Sequence, residues 1–303
     1  MQQFFELVKR NVRLYLRDRG AVFFSLLSML IVIGLMLFFL GGMNIEAITD
    51  ILGKFPGRDA AADEENAKLL VLMWTSAGIV SINAVTVSYA SLSAMIKDRT
   101  TGKINSIYSA PVSRFTISAA YICSAWVSSV IMCTAALVIS EIYCVSQGAE
   151  AFSVTAHLQL LGMIAVNSFA YSSLMYFASF LAKTEGAWSG FGTVAGTLVG
   201  FLGGIYLPIG ALAESIGNGL KCTPIIYGAS MFRQIMTEDM LSRTFDGISA
   251  DIIGEYSEAM GITLTVFDNN VSCAADIVIL LVFGGLFLVF GALVTEHSRK
   301  TDR

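Results

Sequence analysis

Charge is scarce in this 303-residue chain: Asp, Glu, Lys and Arg make up 14% of it, against about 25% in soluble domains. An ordinary soluble surface cannot be built from so little charge, and this argues against a soluble globular fold. Histidine is scarcer still. His157 and His297 stand far apart, with no matched nucleophile between them. The five cysteines, Cys123, Cys133, Cys144, Cys222 and Cys273, include no CxxC pair, so a zinc or dithiol redox site is not expected. They read as small buried side chains, with a disulfide between Cys222 and Cys273 as the alternative. A phosphate-binding loop is missing too. Gly102-Lys103 has Lys97 where the first glycine belongs, and Ile104 replaces the Ser or Thr that would hold magnesium. No catalytic site is found, so the chain is not expected to be an enzyme or to bind a cofactor or nucleic acid.

What is present is apolar and arranged in long runs. Hydrophobic residues make up 55% of the chain, and its mean hydropathy is +0.70. Runs of about 20 apolar residues match a hydrocarbon layer roughly 30 Å thick. They do not alternate, as strands of a membrane barrel would. The expected fold is an all-α integral membrane protein forming one transmembrane domain over residues 1–303. Six spans are expected, at about 21–40, 69–96, 115–143, 157–182, 187–206 and 271–295.

Residues 4–19 form an amphipathic helix. Lys9, Arg10, Arg13 and Arg17 share one arc, and Phe4, Val8, Val12 and Tyr15 the opposite one. It should lie in the membrane interface with its basic face toward anionic lipid. A polar, acidic loop is expected over Met43 to Lys68. The second span is dense in small and polar residues, among them Ser81, Asn83 and Thr86. These suit close helix contact or a hydrated pathway, and Asn83 and Asn167 read as bonds between helices. The fifth span carries Gly192, Gly196, Gly200 and Gly204, each four apart. That spacing makes one small-residue face, suited equally to packing within a subunit or between subunits. Residues 207–270 hold two apolar pieces too short to cross, Ile209 to Ile216 and Pro224 to Met236, followed by an acidic stretch. They are expected to form a re-entrant and extracellular segment. Glu141 and Asp276 sit near span ends, where snorkelling to the interface is a simpler reading than a proton relay.

Lys and Arg fall unevenly on the two sides. One side holds thirteen: Lys9, Arg10, Arg13, Arg17, Arg19, Lys97, Arg99, Lys103, Arg114, Lys183, Arg299, Lys300 and Arg303. The other holds six: Lys54, Arg58, Lys68, Lys221, Arg233 and Arg243. The positive-inside rule then puts both termini and the Lys97–Arg114 stretch in the cytoplasm of a multi-pass cell-membrane protein.

Several segments, in order, resemble one family. A basic amphipathic helix enters the first span. Lys97-Asp98-Arg99-Thr100-Thr101-Gly102-Lys103 follows the second, and Ser109-Ala110-Pro111-Val112-Ser113-Arg114 opens the third. Gly203-Gly204-Ile205-Tyr206-Leu207-Pro208 leaves the fifth, and Pro224, Tyr227 and Arg233 follow. This order is similar to that of type-2 ABC exporter permeases, the membrane subunits of drug, antibiotic and polysaccharide exporters. Residues 237–270 depart from it by their length.

The resemblance implies a half-transporter. Two permease subunits, identical or not, would pair with separate ATPase subunits that hold ATP and magnesium. Residues 97–114 would carry the coupling helix, from Thr101 through Ile104 and Ile107 to Ser109. Gly102 would be its turn, and Pro111, just before Arg114, would start the next helix without loss of a hydrogen bond. The second and fifth spans would line the pathway for an amphipathic, drug-like, peptide or lipid-linked substrate. The competing readings are a stand-alone secondary transporter, which would need buried mid-membrane charges, and a non-transporting membrane sensor or immunity protein.

Overall fold

In hydrocarbon every backbone N–H and C=O must be paired within the protein, which leaves helices as the form open to long non-alternating apolar runs. A computed structural model describes residues 2–35, 41–108, 112–266 and 269–301 and is helical over nearly all of them. Four of its helices are long and apolar enough to cross a membrane, all within the described residues.

The amphipathic helix α1, Gln2–Arg17, breaks at Asp18, and α2 follows as Arg19–Leu35. The break has a local cause, because the Asp18 carboxylate accepts the Ala21 N–H at 3.0 Å and so caps α2. The expected first span continues into residues 36–40, which lie outside the described residues. The expected acidic loop is instead mostly helix. α3 covers Gly41–Leu52, and α4 begins at Ala60, capped by Asp59.

α4, Ala60–Thr100, is the axis of the molecule. Its 41 residues extend about 60 Å at 1.5 Å per residue, twice the thickness of the hydrocarbon core. It is therefore longer than one crossing needs. It packs on α6 (Arg114–Ser146), α7 (Val154–Ala178), α8 (Glu185–Leu202) and α10 (Pro224–Met236). Its small residues let these neighbours approach closely. Ser88 meets Ser172 at 3.0 Å, and Ser129 of α6 meets Ser168 of α7 at 3.0 Å. The last span, α13 (Cys273–Thr301), lies mainly against α7 and α10.

The segment before α13 is folded rather than loose. After a 3₁₀ turn at Ile209–Ala211 come α9 (Glu214–Lys221), α10, α11 (Glu238–Thr244) and α12 (Ala250–Ala259). A two-stranded antiparallel hairpin, β1 (Leu264–Val266) with β2 (Asn269–Val271), pairs Leu264 with Val271. Ile48, Leu52, Trp74, Met240, Phe245 and Tyr256 form a second core at this end. Arg58 ties it together, binding Asp63 at 2.7 and 2.8 Å and the Thr244 and Asp246 carbonyls at 2.8 and 2.7 Å.

All five cysteines are free, so the fold holds no Cys222–Cys273 disulfide. Cys133 and Cys144 are buried as expected, whereas Cys222 is exposed.

Candidate functional site

Where α4 ends, Thr101 still bonds back to Lys97, Oγ1 to O at 2.6 Å. Gly102 then turns the chain with φ +73, a conformation open to glycine and costly for L side chains. The short helix α5 follows, Lys103–Tyr108, in the place where the resemblance implies a coupling helix. Ser109 and Pro111 lie outside the described residues, and Arg114 is described only through its backbone. α6 starts at Arg114, with Ser113 as N-cap accepting the Thr116 N–H at 3.1 Å. The serine cap sets the start of α6 at Arg114.

The two isoleucines of α5 face inward. Ile104 is buried at 8% exposure, and Ile107 is half-buried against the main core. Their apolar character serves this chain's own packing. Gly102, Lys103, Asn105 and Ser106 are exposed.

Three ties root this segment in the bundle. Asp98 takes two bonds from the Arg10 guanidinium, at 2.8 and 2.9 Å, and a third from the Tyr121 hydroxyl at 2.7 Å. The Asp98 side chain is 6% exposed. The bond to Asp98 holds the Arg10 pKa above its ordinary value. Arg10 thus points inward, not to lipid as expected of the basic arc, while Lys9, Arg13 and Arg17 stay exposed. Arg99 lies over the Phe180 ring at 4.7 Å, and Thr100 donates to Glu185 at 2.9 Å. These last two ties reach the turn between α7 and α8. Asp98 is the one acid in residues 97–114, a signal that the reading of the sequence passed over. Tyr121, Phe180 and Glu185 carried no such signal.

A second node sits at the opposite end. α8 ends in a Schellman motif: Gly204 (φ +61) donates to Phe201 O and Ile205 to Gly200 O, each at 3.0 Å. α12 ends the same way at Gly261 (φ +62), whose N–H reaches Glu258 O while Ile262 N reaches Ser257 O. Arg233 of α10 joins the two ends. It donates to the carbonyls of Gly203 at 3.0 Å and Gly204 at 2.9 Å, and to Gly261 at 3.3 Å. Its guanidinium also lies 4.3 Å from the Trp74 ring centroid, and Trp74 Nε1 donates to Met260 O at 2.7 Å. Arg233 is fully buried. The negative ends of two helix dipoles and an aromatic face offset its loss of water. The glycine-to-proline exit and the later arginine, far apart in sequence, are thus one cluster.

The expected pathway residues lie inside the bundle. Ser81 and Asn83 are buried, and Thr86 is half-buried. Asn83 Nδ2 reaches Met132 O at 3.4 Å, and Asn167 Nδ2 reaches Ser81 O at 3.0 Å. Both asparagines bond between helices, as their positions suggested. The glycine row is not one continuous face. A Cβ on Gly192 would fall 2.0 Å from Tyr89, and one on Gly200 would fall 2.3 Å from Tyr206, whereas Gly196 faces open space. Gly204 is already beyond the helix. Glu141 pairs with His157 at 2.8 Å, and Asp276 accepts from Gln234 at 2.9 Å.

These features define a helical membrane protein with a polar, rooted segment between two of its long helices. The family model for the ABC-2 type transporter matches residues 2–237, and the chain belongs to that family. It is therefore an ABC-type transporter permease. No curated protein matches the chain.

Proposed function

We propose that this chain is the membrane subunit of an ATP-driven exporter, and that a separate ATPase docks on the exposed face of α5. One observation carries this reading: a short helix with an open polar face stands on a root tied to three other parts of the bundle. A push on α5 would pass to α1 through Arg10, to α6 through Tyr121, and to the α7–α8 turn through Arg99 and Thr100. ATP and magnesium would stay in the partner. The charge asymmetry supports cytoplasmic termini and a cytoplasmic α5. In the full arrangement α2 with residues 36–40, and α8, complete six spans. A second permease subunit, identical or related, would cover the outer face of α8, where Val194, Leu198 and Phe201 are exposed.

An amphipathic, drug-like, peptide or lipid-linked cargo moving outward fits a cavity of about 550 Å³ at the other end. It is lined by Tyr206, Leu207, Pro208 and Met260, with Lys54 and Glu255 also on its wall.

The test is Lys103→Glu, which reverses the charge of the exposed face without touching buried atoms. Membrane insertion and melting should match wild type, while co-purification of the ATPase and transport should both fall sharply. Unchanged co-purification and transport would show that the ATPase docks elsewhere.

A further inference from the structure

Two cavities meet between α6, α7 and α13. The first has a volume of about 570 Å³ and an almost wholly apolar lining, including Phe115, Ile122, Trp126 and Leu288. The second, about 420 Å³, is half polar, and its charged residues are Arg99 and Lys183. Ser118 and Tyr176 line both, so the cavities share a wall.

The apolar cavity has a definite length and direction. It takes residues from Phe115 to Trp126 on α6, Ala165 to Tyr176 on α7, and Leu281 to Ala292 on α13. Each stretch covers eleven steps of helix, about 16 Å. That is the depth of one leaflet of a roughly 30 Å hydrocarbon core. All three stretches end at the same side, the side of α5. There the basic cavity begins, with Ile104 and Asn105 of α5 in its wall. Two carboxylates close to them in sequence are engaged, Asp98 by Arg10 and Glu185 by Thr100, and Arg99 itself donates to the Ser179 carbonyl at 3.4 Å. Arg99 and Lys183 are therefore without a carboxylate partner among the described residues.

The geometry points to a resident anionic phospholipid, with its acyl chains in the apolar cavity and its phosphate between Arg99 and Lys183. Neither cavity alone specifies this ligand. A one-leaflet apolar slot joined to a dicationic polar chamber matches the amphipathic division of a phospholipid. The headgroup would touch the wall of α5. A lipid would then brace the segment on which the ATPase is proposed to act. The leaflet, though not the site itself, rests on the orientation given under Proposed function.

The purified chain, without any ATPase, is placed in detergent containing phosphatidylglycerol or phosphatidylcholine, and bound lipid is counted by native mass spectrometry. Phosphatidylglycerol should be retained preferentially. Arg99→Gln with Lys183→Gln should reduce its retention by about twenty-five-fold, taking about fivefold per cation. Because Arg99 also stacks on Phe180, Lys183→Gln alone is the milder control, and it should give about fivefold. Ala119→Trp, which fills the apolar cavity, should abolish retention of either lipid. Equal retention of the two lipids, or retention unchanged in the charge or cavity variants of proven fold, would overturn the proposal. A failed lipid experiment leaves the exporter reading intact, since no ATPase takes part. A failed ATPase experiment leaves the lipid result intact.

Discussion

Arg10 binds Asp98 through two guanidinium nitrogens, at 2.8 and 2.9 Å. The two residues are 88 positions apart in the chain. The pair fastens α1 to the last turn of α4, one residue before Arg99 and two before Thr100, which make the other ties. Everything attached to α5 therefore shares a single root.

That pair can be tested by a double-mutant cycle. Asp98→Asn leaves a guanidinium with weakened acceptors and should lower stability by about 1–3 kcal/mol. Arg10→Gln with Asp98→Asn should cost less than the sum of the two single changes, by about 1 kcal/mol. Thermal unfolding in detergent measures this, and additive losses would mean that the two side chains do not interact.

Removing Arg233 strips several buried carbonyls of their donor at once. Arg233→Met should cost at least about 3 kcal/mol, since each unpaired buried group costs about 1–3 kcal/mol. Arg233→Lys should recover little, because an ammonium cannot span both helix ends. A wild-type melting temperature in Arg233→Met would refute the capping role.

Gly192 and Gly196 should behave oppositely although they are one turn apart. Gly192→Ala forces the Tyr89 ring to move and should cost about 1–3 kcal/mol. Gly196→Ala meets only open space and should leave the monomer's melting unchanged. Gly196→Leu should weaken the dimer if α8 is the subunit interface, which cross-linking or analytical ultracentrifugation reads. An intact dimer would place the interface elsewhere.

Ile104→Ala separates packing from docking. It truncates a buried side chain that lines a cavity with Met95, Ile96 and Ile117, and such a truncation should cost about 2–5 kcal/mol. Reduced expression and melting are expected from this variant and not from Lys103→Glu. Equal folding of the two would show that Ile104 faces outward.

Sidedness is open to thiol labelling. With the five native cysteines replaced by Ser, single cysteines at Glu65 and Ser249, both exposed, should react with an impermeant reagent on intact cells. One at Lys103 should not. The reverse pattern would invert the topology.

The sequence was legible where physics is local. Long apolar runs predict helices because hydrocarbon leaves the backbone no other partner. The spans at 69–96, 115–143, 157–182 and 271–295 correspond to α4, α6, α7 and α13, with ends shifted by caps such as Ser113. Family membership was legible because short motifs keep their order along the chain. Helical periodicity also showed that residues 4–19 have two faces, and that Ile104 and Ile107 share one.

What periodicity does not carry is the identity of the surface each face meets. The Arg10 position lies at the edge of the basic arc, and only the approach of Asp98 turns it inward. Ile104 and Ile107 stand in the stretch that the resemblance assigns to the coupling helix, and the bundle places its own core beneath them. The segment at 237–270 read as an acidic loop because its core is shared, with Trp74, Ile48 and Leu52 supplied from elsewhere. Local polarity is written residue by residue and fixes the spans. Contacts such as Arg10–Asp98 and Arg233–Gly203 close long loops whose entropy is offset only when many packing contacts form together, and that is a property of the tertiary structure.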